Sequence, residues 1–273
     1  MKRGNVSSSS GLPVFTDARS HLLALLLGLL LVGAFGCSHP WNALPEGSYE
    51  RGKSEAEGGA TLDAIEDLKL FIRRNPQDPL ADDAQFLVGK SYMETEDYPV
   101  AAVEFEIMQV DYPSSELADD AAYLEALSYV KQVPDYRLDQ TITKKAMDKL
   151  NHYLKTYPSG KHVKEVHDEL DQLQAKLDRK HFDSAAFYER RGHLVAANQV
   201  LENILEESPN SPLRPKILML KGQTDLKLKN YQDAVTALRE LVDRWPDFVD
   251  HGKAERLLKK AQKAQKVAGG DAS

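Results

Sequence analysis

One sequence motif, which occurs five times along the chain, constrains the fold more than any other feature of the sequence. In each copy an alanine is followed four residues later by a bulky apolar residue, and eight residues after that by a proline. The copies are Ala64/Leu68/Pro76, Ala101/Phe105/Pro113, Ala146/Leu150/Pro158, Ala197/Leu201/Pro209 and Ala234/Leu238/Pro246. Positions four apart share a helix face, and proline disfavours helix in the residue before it. Each copy therefore predicts a helix with one buried face that ends just before the proline.

A glycine stands twelve residues before the alanine in three copies, at Gly52, Gly89 and Gly222. A residue without a side chain suits a preceding helix whose backbone is crossed closely by the next one. The segments that begin at Leu80 and Leu117 are almost identical and lie 37 residues apart. The sequence therefore predicts repeated helix pairs.

Two intervals between prolines are longer than 37 residues. The interval from Pro113 to Pro158 is 45 residues, and we assign the excess to a longer inter-helix loop over 132–140, where Pro134 breaks any helix. The interval from Pro158 to Pro209 is 51 residues, and no helix breaker occurs over 161–191. We expect the first helix of the fourth unit to be longer by about four turns and to project beyond the stack.

The spaced glycine or alanine, alanine, apolar residue and proline resemble the tetratricopeptide repeat, whose unit is a helix pair of about 34 residues. This resemblance implies an all-α fold, a tetratricopeptide-repeat superhelix of about five helix pairs with an extended helix in the fourth unit. The repeat domain is assigned to residues 47–250. Residues 251–273 are assigned to a basic C-terminal capping helix and a frayed tail, because repeat arrays need a polar outer face at their ends. The alternative for this basic helix is docking to an acidic partner or membrane surface.

The N-terminus has the pattern of a targeting segment. Basic residues precede an apolar run over 22–36, which is short for a membrane span of about 20 residues, and Cys37 follows at once. Small residues at Ala34 and Gly36 resemble the lipobox of bacterial lipoproteins, which implies a signal peptide over 1–36 and acyl chains such as palmitate on Cys37. The alternative is an uncleaved signal anchor. Residues 37–46 form a lipidated tether, in which Trp41 lies at the membrane interface or docks on the first repeat.

Composition and motifs argue against several functions. The net charge of −7 argues against a nucleic-acid binder, and a single cysteine excludes an intramolecular disulfide. We find no catalytic constellation, no metal-binding spacing and no cofactor-binding loop. His152, His162 and His167 are interpreted as surface histidines. The pairs Asp82-Asp83 and Asp119-Asp120 are interpreted as helix N-terminal charge. We therefore expect that the protein is not an enzyme and uses no cofactor or metal.

The stretch from Phe182 to Val200 contains an aromatic pair, an Arg-Gly and a short apolar helix with Asn198, placed at the end of an extended helix. Together with the lipobox and the repeats, this stretch resembles the BamD family, the lipoproteins of the bacterial outer-membrane β-barrel assembly machine. The resemblance covers nearly all of the mature chain. It implies a scaffold anchored by lipid at the periplasmic face of the outer membrane, bound to the barrel protein BamA, to other assembly-machine lipoproteins and to unfolded barrel substrates.

The resemblance implies two binding sites. Substrates would enter a groove lined by first-helix positions, for which the alternative is packing between repeats: Tyr49, Lys53, Phe86, Lys90, Met93, Tyr123, Leu127 and Val130. The BamA contact would use Arg190, Arg191, Asn198, Gln199 and Glu202. Members of the family often have arginine where this chain has Gln199, so a hydrogen bond would replace an ion pair there.

Two other functions fit the same sequence features. One is a different tetratricopeptide envelope lipoprotein, such as a pilotin or secretin-assembly factor or a coordinator of the peptidoglycan machinery. The other is an enzyme with a helical-repeat lid, which would need convergent polar groups in a deep pocket.

Overall fold

The computed structural model describes residues 39–270, and within this range all regular secondary structure is helical. One short 3-10 helix, Pro40–Ala43, precedes the α-helices. The α-helices are α1 (Tyr49–Glu57), α2 (Thr61–Arg74), α3 (Ala81–Glu94), α4 (Tyr98–Asp111), α5 (Ala118–Lys131), α6 (Thr141–Thr156), α7 (Val163–Arg190), α8 (Leu194–Glu207), α9 (Arg214–Leu228), α10 (Tyr231–Arg244) and α11 (His251–Gly270). The first ten form five consecutive pairs, as the repeat predicts, and the fold is a tetratricopeptide-repeat superhelix.

The chain divides into two units, Met1–Glu46 and Gly47–Ser273. In the described part of the first unit, the rings of His39 and Trp41 are stacked with their centroids 4.3 Å apart. The expected signal peptide over 1–36 and the lipidation site at Cys37 lie outside the described residues. The predicted tether over 37–46 lies partly outside them.

The prolines of the repeat end the second helix of every pair. In all five pairs this helix ends two residues before the proline, for example at Asp111 before Pro113 and at Thr156 before Pro158. The intervening residue leaves the helical region: Tyr112 has φ −128° and ψ 53°. The proline ring clashes with a helical residue in front of it, so each stop is a local effect of the sequence.

The ten alanines and bulky residues of the repeat are all completely buried. The bulky residue packs on the backbone of the first helix of its own pair. A Cβ atom added to Gly89 would lie 2.6 Å from the Phe105 ring, and one added to Gly52 would lie 2.6 Å from Leu68 Cγ. The predicted close crossing of helices is therefore confirmed. The equivalent positions of the third and fourth pairs, Ala126 and Ala185, are also fully buried.

In the described residues the core consists of five small clusters, four at the junctions between consecutive pairs and one between the last pair and α11. Val88 joins Leu68 at the first junction, and Ala121 joins Phe105 at the second. At the last junction, Ala254 and Ala261 of α11 cover the buried face of α10. Six basic residues of α11 are exposed: Lys253, Arg256, Lys259, Lys260, Lys263 and Lys266. No helix in the described range is long and apolar enough to cross a membrane.

Helix α7 has 28 residues, so the prediction of an extended helix in the fourth unit is confirmed. The prediction that it projects beyond the stack is wrong. Val166 and Leu173 belong to the core cluster of the third pair, and Ala185 belongs to the cluster formed with α8 and α9. The helix therefore connects two cores, because both of its halves carry buried apolar residues.

The loop over 132–140 covers part of this long helix. Lys176 Nζ donates to the Pro134 carbonyl at 3.0 Å, and Lys180 Nζ donates to the Leu138 carbonyl at 2.6 Å. The Tyr136 hydroxyl donates to Asp183 Oδ2 at 3.1 Å. The two departures from regular repeat spacing thus pack against each other.

Candidate functional site

The turn between α7 and α8 exposes two adjacent arginines. Helix α7 ends at Arg190, and Arg191 and Gly192 form the turn before α8 begins at Leu194. Gly192 has φ +81°, a conformation that glycine adopts without steric cost. The sequence therefore places a sharp turn immediately after Arg190 and Arg191, and both side chains are exposed.

Aromatic and apolar side chains surround these arginines. Phe187 is 48% exposed, Tyr188 is 37% exposed and Val195 is 73% exposed. The Arg191 guanidinium lies 5.4 Å from the centroid of the Phe187 ring, within the range of a cation–π contact. We call the set Phe187, Tyr188, Arg190, Arg191 and Val195 the turn surface. Exposed aromatic residues next to arginine are typical of the centres of protein–protein interfaces.

The turn surface continues into an open cavity of about 310 Å³ between α7 and the loop over 132–140. Tyr136 and Arg137 line it from the loop, and Phe187 and Tyr188 line it from α7. Arg179 Nε lies 3.3 Å from Asp183 Oδ1, and Asp183 also accepts the Tyr136 hydroxyl, so the loop side of the cavity is held in place. The loop insertion and the long helix together shape this part of the surface, which neither would form alone.

Two of the five predicted partner-binding residues bind a lysine of the next helix. Lys221 Nζ of α9 donates to Asn198 Oδ1 at 3.0 Å and to Glu202 Oε1 at 2.8 Å. Lys221 is 9% exposed, and it also lies 3.1 Å from the fully buried Asp225. Burial favours the neutral amine, but the carboxylates of Glu202 and Asp225 outweigh it and raise the pKa of Lys221. Asn198 and Glu202 thus join α8 to α9.

The other three predicted partner-binding residues are exposed. Gln199 donates to Asn203 Oδ1 at 3.0 Å on the surface of α8, and Arg190 and Arg191 belong to the turn surface. Sequence reasoning missed Lys221 as the partner of Asn198 and Glu202. Lys221 directly precedes Gly222, in a helix that the sequence predicts to be crossed closely by its neighbour. This position was the available signal that the lysine would lie between helices.

The eight predicted groove residues all lie on the first helices of the first three pairs. Lys53 and Lys90 are exposed, and the other six are half-buried. The aromatic members contact the second helix of their own pair. Phe86 lies 5.8 Å from the Phe105 ring, and Tyr49 lies 5.9 Å from the Phe71 ring. The aromatic side chains therefore pack between helices and also keep part of their surface exposed. The two alternatives, a groove position and packing between repeats, do not exclude each other at these positions.

Tyr123 is the aromatic member of this set on α5. Its ring stacks on His162 with the centroids 4.2 Å apart, and burial raises the pKa of its hydroxyl. Met93 packs against the cluster around Phe105, and Val130 packs against the cluster of the third pair. Leu127 of α5 is half-buried.

His162 differs from the other two histidines of its region. His152 and His167 are exposed as expected, whereas His162 is half-buried with Nε2 2.7 Å from Asp120 Oδ1. Asp119 accepts the backbone N–H of Lys161 at 2.9 Å. The Asp119-Asp120 pair lies in the first turn of α5, as predicted, and it also binds the residues that start α7.

The described residues contain no group of three or more His, Cys, Asp or Glu side chains that could hold a metal ion. Several polar groups buried between helices are paired with groups of a neighbouring helix. Glu104, for example, lies 2.6 Å from Lys69 Nζ and accepts from Gln85 at 2.8 Å. These contacts connect neighbouring helices.

The sequence of the chain is similar to bacterial outer-membrane proteins. A family model described as an outer membrane lipoprotein (YfiO) matches residues 42–221, and a tetratricopeptide-repeat model matches residues 217–247. The chain is 22% identical over 215 residues to the outer membrane protein assembly factor BamD of Caulobacter vibrioides, covering 77% of this chain and 69% of that one. It is 22% identical over 243 residues to the BamD of Vibrio cholerae, covering 82% of this chain and 98% of that one.

Proposed function

The chain belongs to the YfiO family of outer membrane lipoproteins, and from this and from its similarity to two BamD proteins we propose that it is an outer-membrane protein assembly factor that works as a non-enzymatic scaffold. The observation that carries the proposal is the family match over residues 42–221, which includes the first four helix pairs, the loop insertion and the long helix. The fold supports it, because a repeat array offers extended surfaces for binding other polypeptides.

The proposed anchor is a lipid on Cys37. The family is described as lipoproteins, and the only cysteine of the chain follows a signal-like segment directly. Two or more acyl chains give stable membrane attachment, whereas one chain gives only marginal binding. The protein would then be held at the periplasmic face of the outer membrane, with residues 37–46 as a tether, residues 47–250 as the binding domain and residues 251–273 as its cap and tail.

The turn surface is proposed as the contact with the barrel protein of the assembly machine, of the BamA type. Phe187 and Tyr188 supply apolar area, and Arg190 and Arg191 supply hydrogen-bond donors for carboxylates of the partner. Gln199 extends this contact along α8. Asn198 and Glu202 contribute indirectly by holding α8 against α9. Other lipoproteins of the machine would bind elsewhere on the array.

The first three helix pairs are proposed to bind unfolded barrel substrates. The accessible edges of Tyr49, Phe86 and Tyr123 recur at 37-residue spacing, with exposed Lys53 and Lys90 beside the first two. Met93 and the other apolar members add adaptable contacts, since a thioether side chain fits many shapes. A ladder of this kind suits an extended peptide more than one rigid partner.

The proposal is tested by isolating the full-length protein from detergent-solubilised envelopes and identifying its partners by mass spectrometry. We expect an outer-membrane β-barrel protein to co-isolate. The double change Arg190→Glu and Arg191→Glu should reduce its recovery by about tenfold or more, because it reverses the charge at the proposed contact. Arg239→Glu, an exposed charge reversal on α10, is the matched control and should have no effect.

Two results would count against the proposal at different levels. Recovery of a secretin or of peptidoglycan enzymes instead of a barrel protein would replace the assembly function with another envelope function. Full recovery of the barrel protein by the double variant would keep the function but exclude the turn surface as the contact.

A further inference from the structure

A second cavity lies away from the turn surface, against the middle of α7. Its volume is about 510 Å³. One wall is formed by Asp171, Gln174, Ala175 and Asp178 of α7, and the other by the segment 207–212, which joins α8 to α9. The groove and the partner contact proposed above do not involve these residues.

Asp178 lines this cavity and is only 2% exposed. Its Oδ1 atom accepts from Gln174 Nε2 at 2.9 Å and from the Ser208 hydroxyl at 2.8 Å. Its Oδ2 atom has no hydrogen-bond partner within the described range. A buried carboxylate oxygen without a donor is costly, so the site has an unmet requirement for a donor or a positive charge.

The charged side chains that line the cavity all have one sign. Asp171, Asp178 and Glu207 carry three carboxylates, and no lysine, arginine or histidine lines the cavity. Helix α8 ends at Glu207, so the negative end of its dipole lies beside the cavity, where Arg214 Nη1 donates to the Leu205 and Pro209 carbonyls at 3.5 and 3.3 Å and offsets part of it. The ligand that fits this field is a cation.

The shape and the remaining lining select the kind of cation. Ala175, Pro209 and Pro212 present apolar surface, which suits the methylene stem of a long basic side chain. Since the described residues hold no chelating group of three or more acidic, His or Cys side chains, the lining favours an organic cation over a metal ion. A guanidinium has five N–H donors and can serve several acceptors at once, whereas an ammonium is a single point charge.

We propose that this cavity between α7 and the α8–α9 connection binds an arginine side chain presented by a partner polypeptide, with the guanidinium paired to Asp178. The volume exceeds that of one side chain, so residues flanking the arginine also enter it. The proposal does not depend on the assembly function. It describes a second binding site on the same scaffold, on the side of α7 that segment 207–212 covers.

The test uses the full-length protein in detergent and the blocked tripeptide acetyl-Gly-Arg-Gly-amide, with binding followed by saturation-transfer NMR and titration calorimetry. We expect saturable binding. The affinity for the same peptide with citrulline, a neutral analogue of arginine, should be lower by a factor of about ten or more, because citrulline lacks the charge that pairs with Asp178. Asp178→Asn should weaken binding of the arginine peptide by a similar factor. Asp168→Asn, on an exposed part of the same helix, is the control and should leave binding unchanged.

A second variant separates loss of charge from loss of fold. Ala175→Phe fills the cavity without changing its charge and should also abolish binding, while circular dichroism confirms that helix content is retained. Absence of saturable binding to the unchanged protein would overturn the proposal. So would equal binding of the citrulline peptide, tight binding of Ca²⁺ that excludes the arginine peptide, or undiminished binding by both Asp178→Asn and Ala175→Phe.

Discussion

At the residue scale, small side chains determine how closely the helices of a pair approach. Phe105 lies against the backbone at Gly89, and Leu68 lies in the same way against Gly52. The alanines of the repeat are fully buried beside them, so no space remains for a larger residue. Interiors packed at this density respond to the addition of even one methylene group.

The change Ala101→Leu tests this packing. Ala101 is completely buried in the cluster around Phe105 and Met108, and the added methylenes would force side chains away from favoured rotamers. We expect the free energy of unfolding to fall by about 1–3 kcal/mol, measured by urea denaturation. Val103→Leu, which lengthens a 49% exposed side chain of the same helix, should change it by less than about 0.5 kcal/mol. Equal stability of the two variants would mean that the repeat has been aligned to the wrong helix face.

The contacts of polar side chains were harder to predict than the burial of apolar ones. Asn198 and Glu202 stand one helical turn apart and are predicted to contact a partner protein, and the sequence did not show that Lys221 of the next helix binds both. His162 was expected on the surface, but it stacks on Tyr123. A long polar side chain finds its partner across helices, and the position of that partner depends on crossing geometry that no local pattern contains.

At the element scale, α7 is the helix that departs most from the repeat. Its length follows from the absence of a breaker over 161–191, and this part was predicted. Its surroundings were not, because the sequence alone treats the loop over 132–140 and the long helix as separate insertions. In the structure the loop packs along the side of the helix, with hydrogen bonds at Pro134, Leu138 and Tyr136.

The change Leu173→Ala distinguishes a packed helix from a projecting one. Leu173 is 4% exposed in the cluster of the third pair, and its truncation would leave a cavity there. We expect a loss of about 2–5 kcal/mol in the free energy of unfolding, measured by urea denaturation. Leu62→Ala removes a leucine that is 73% exposed on α2 and serves as the control. A loss no larger than that of the control would show that this half of α7 does not pack in solution.

At the scale of the whole molecule, the repeat domain is a row of junctions, each with its own small core. Every pair contacts its neighbours through one cluster, and α11 closes the last one with Ala254 and Ala261. Stability in such arrays is approximately a sum over repeats and the interfaces between neighbours. The surfaces between junctions are therefore free to carry binding sites, and the proposed sites are distributed along α1, α3, α5 and α7.

The change Cys37→Ser tests how the whole molecule is held in the cell. If Cys37 carries the lipid, its replacement should move the protein from the membrane fraction to the soluble fraction, measured by immunoblotting after an alkaline carbonate wash that removes peripheral proteins. Ser38→Ala is the neighbouring control and should leave the protein with the membranes. Retention of the Cys37→Ser protein after the wash would contradict the lipid anchor and favour an uncleaved signal anchor.

The helices, their ends and their pairing follow from local effects that the sequence carries: the i, i+4 helix face, the proline that excludes helix before it, and the glycine that admits a close crossing. Which polar groups are bonded and which surfaces stay exposed depends instead on the tertiary structure. The 132–140 loop packs on α7, Lys221 binds Asn198 and Glu202, the turn surface stays exposed, and Asp178 Oδ2 is buried without a hydrogen-bond partner among the described residues. The reason is that these outcomes depend on distances between residues far apart in the chain, set by how successive helix pairs cross.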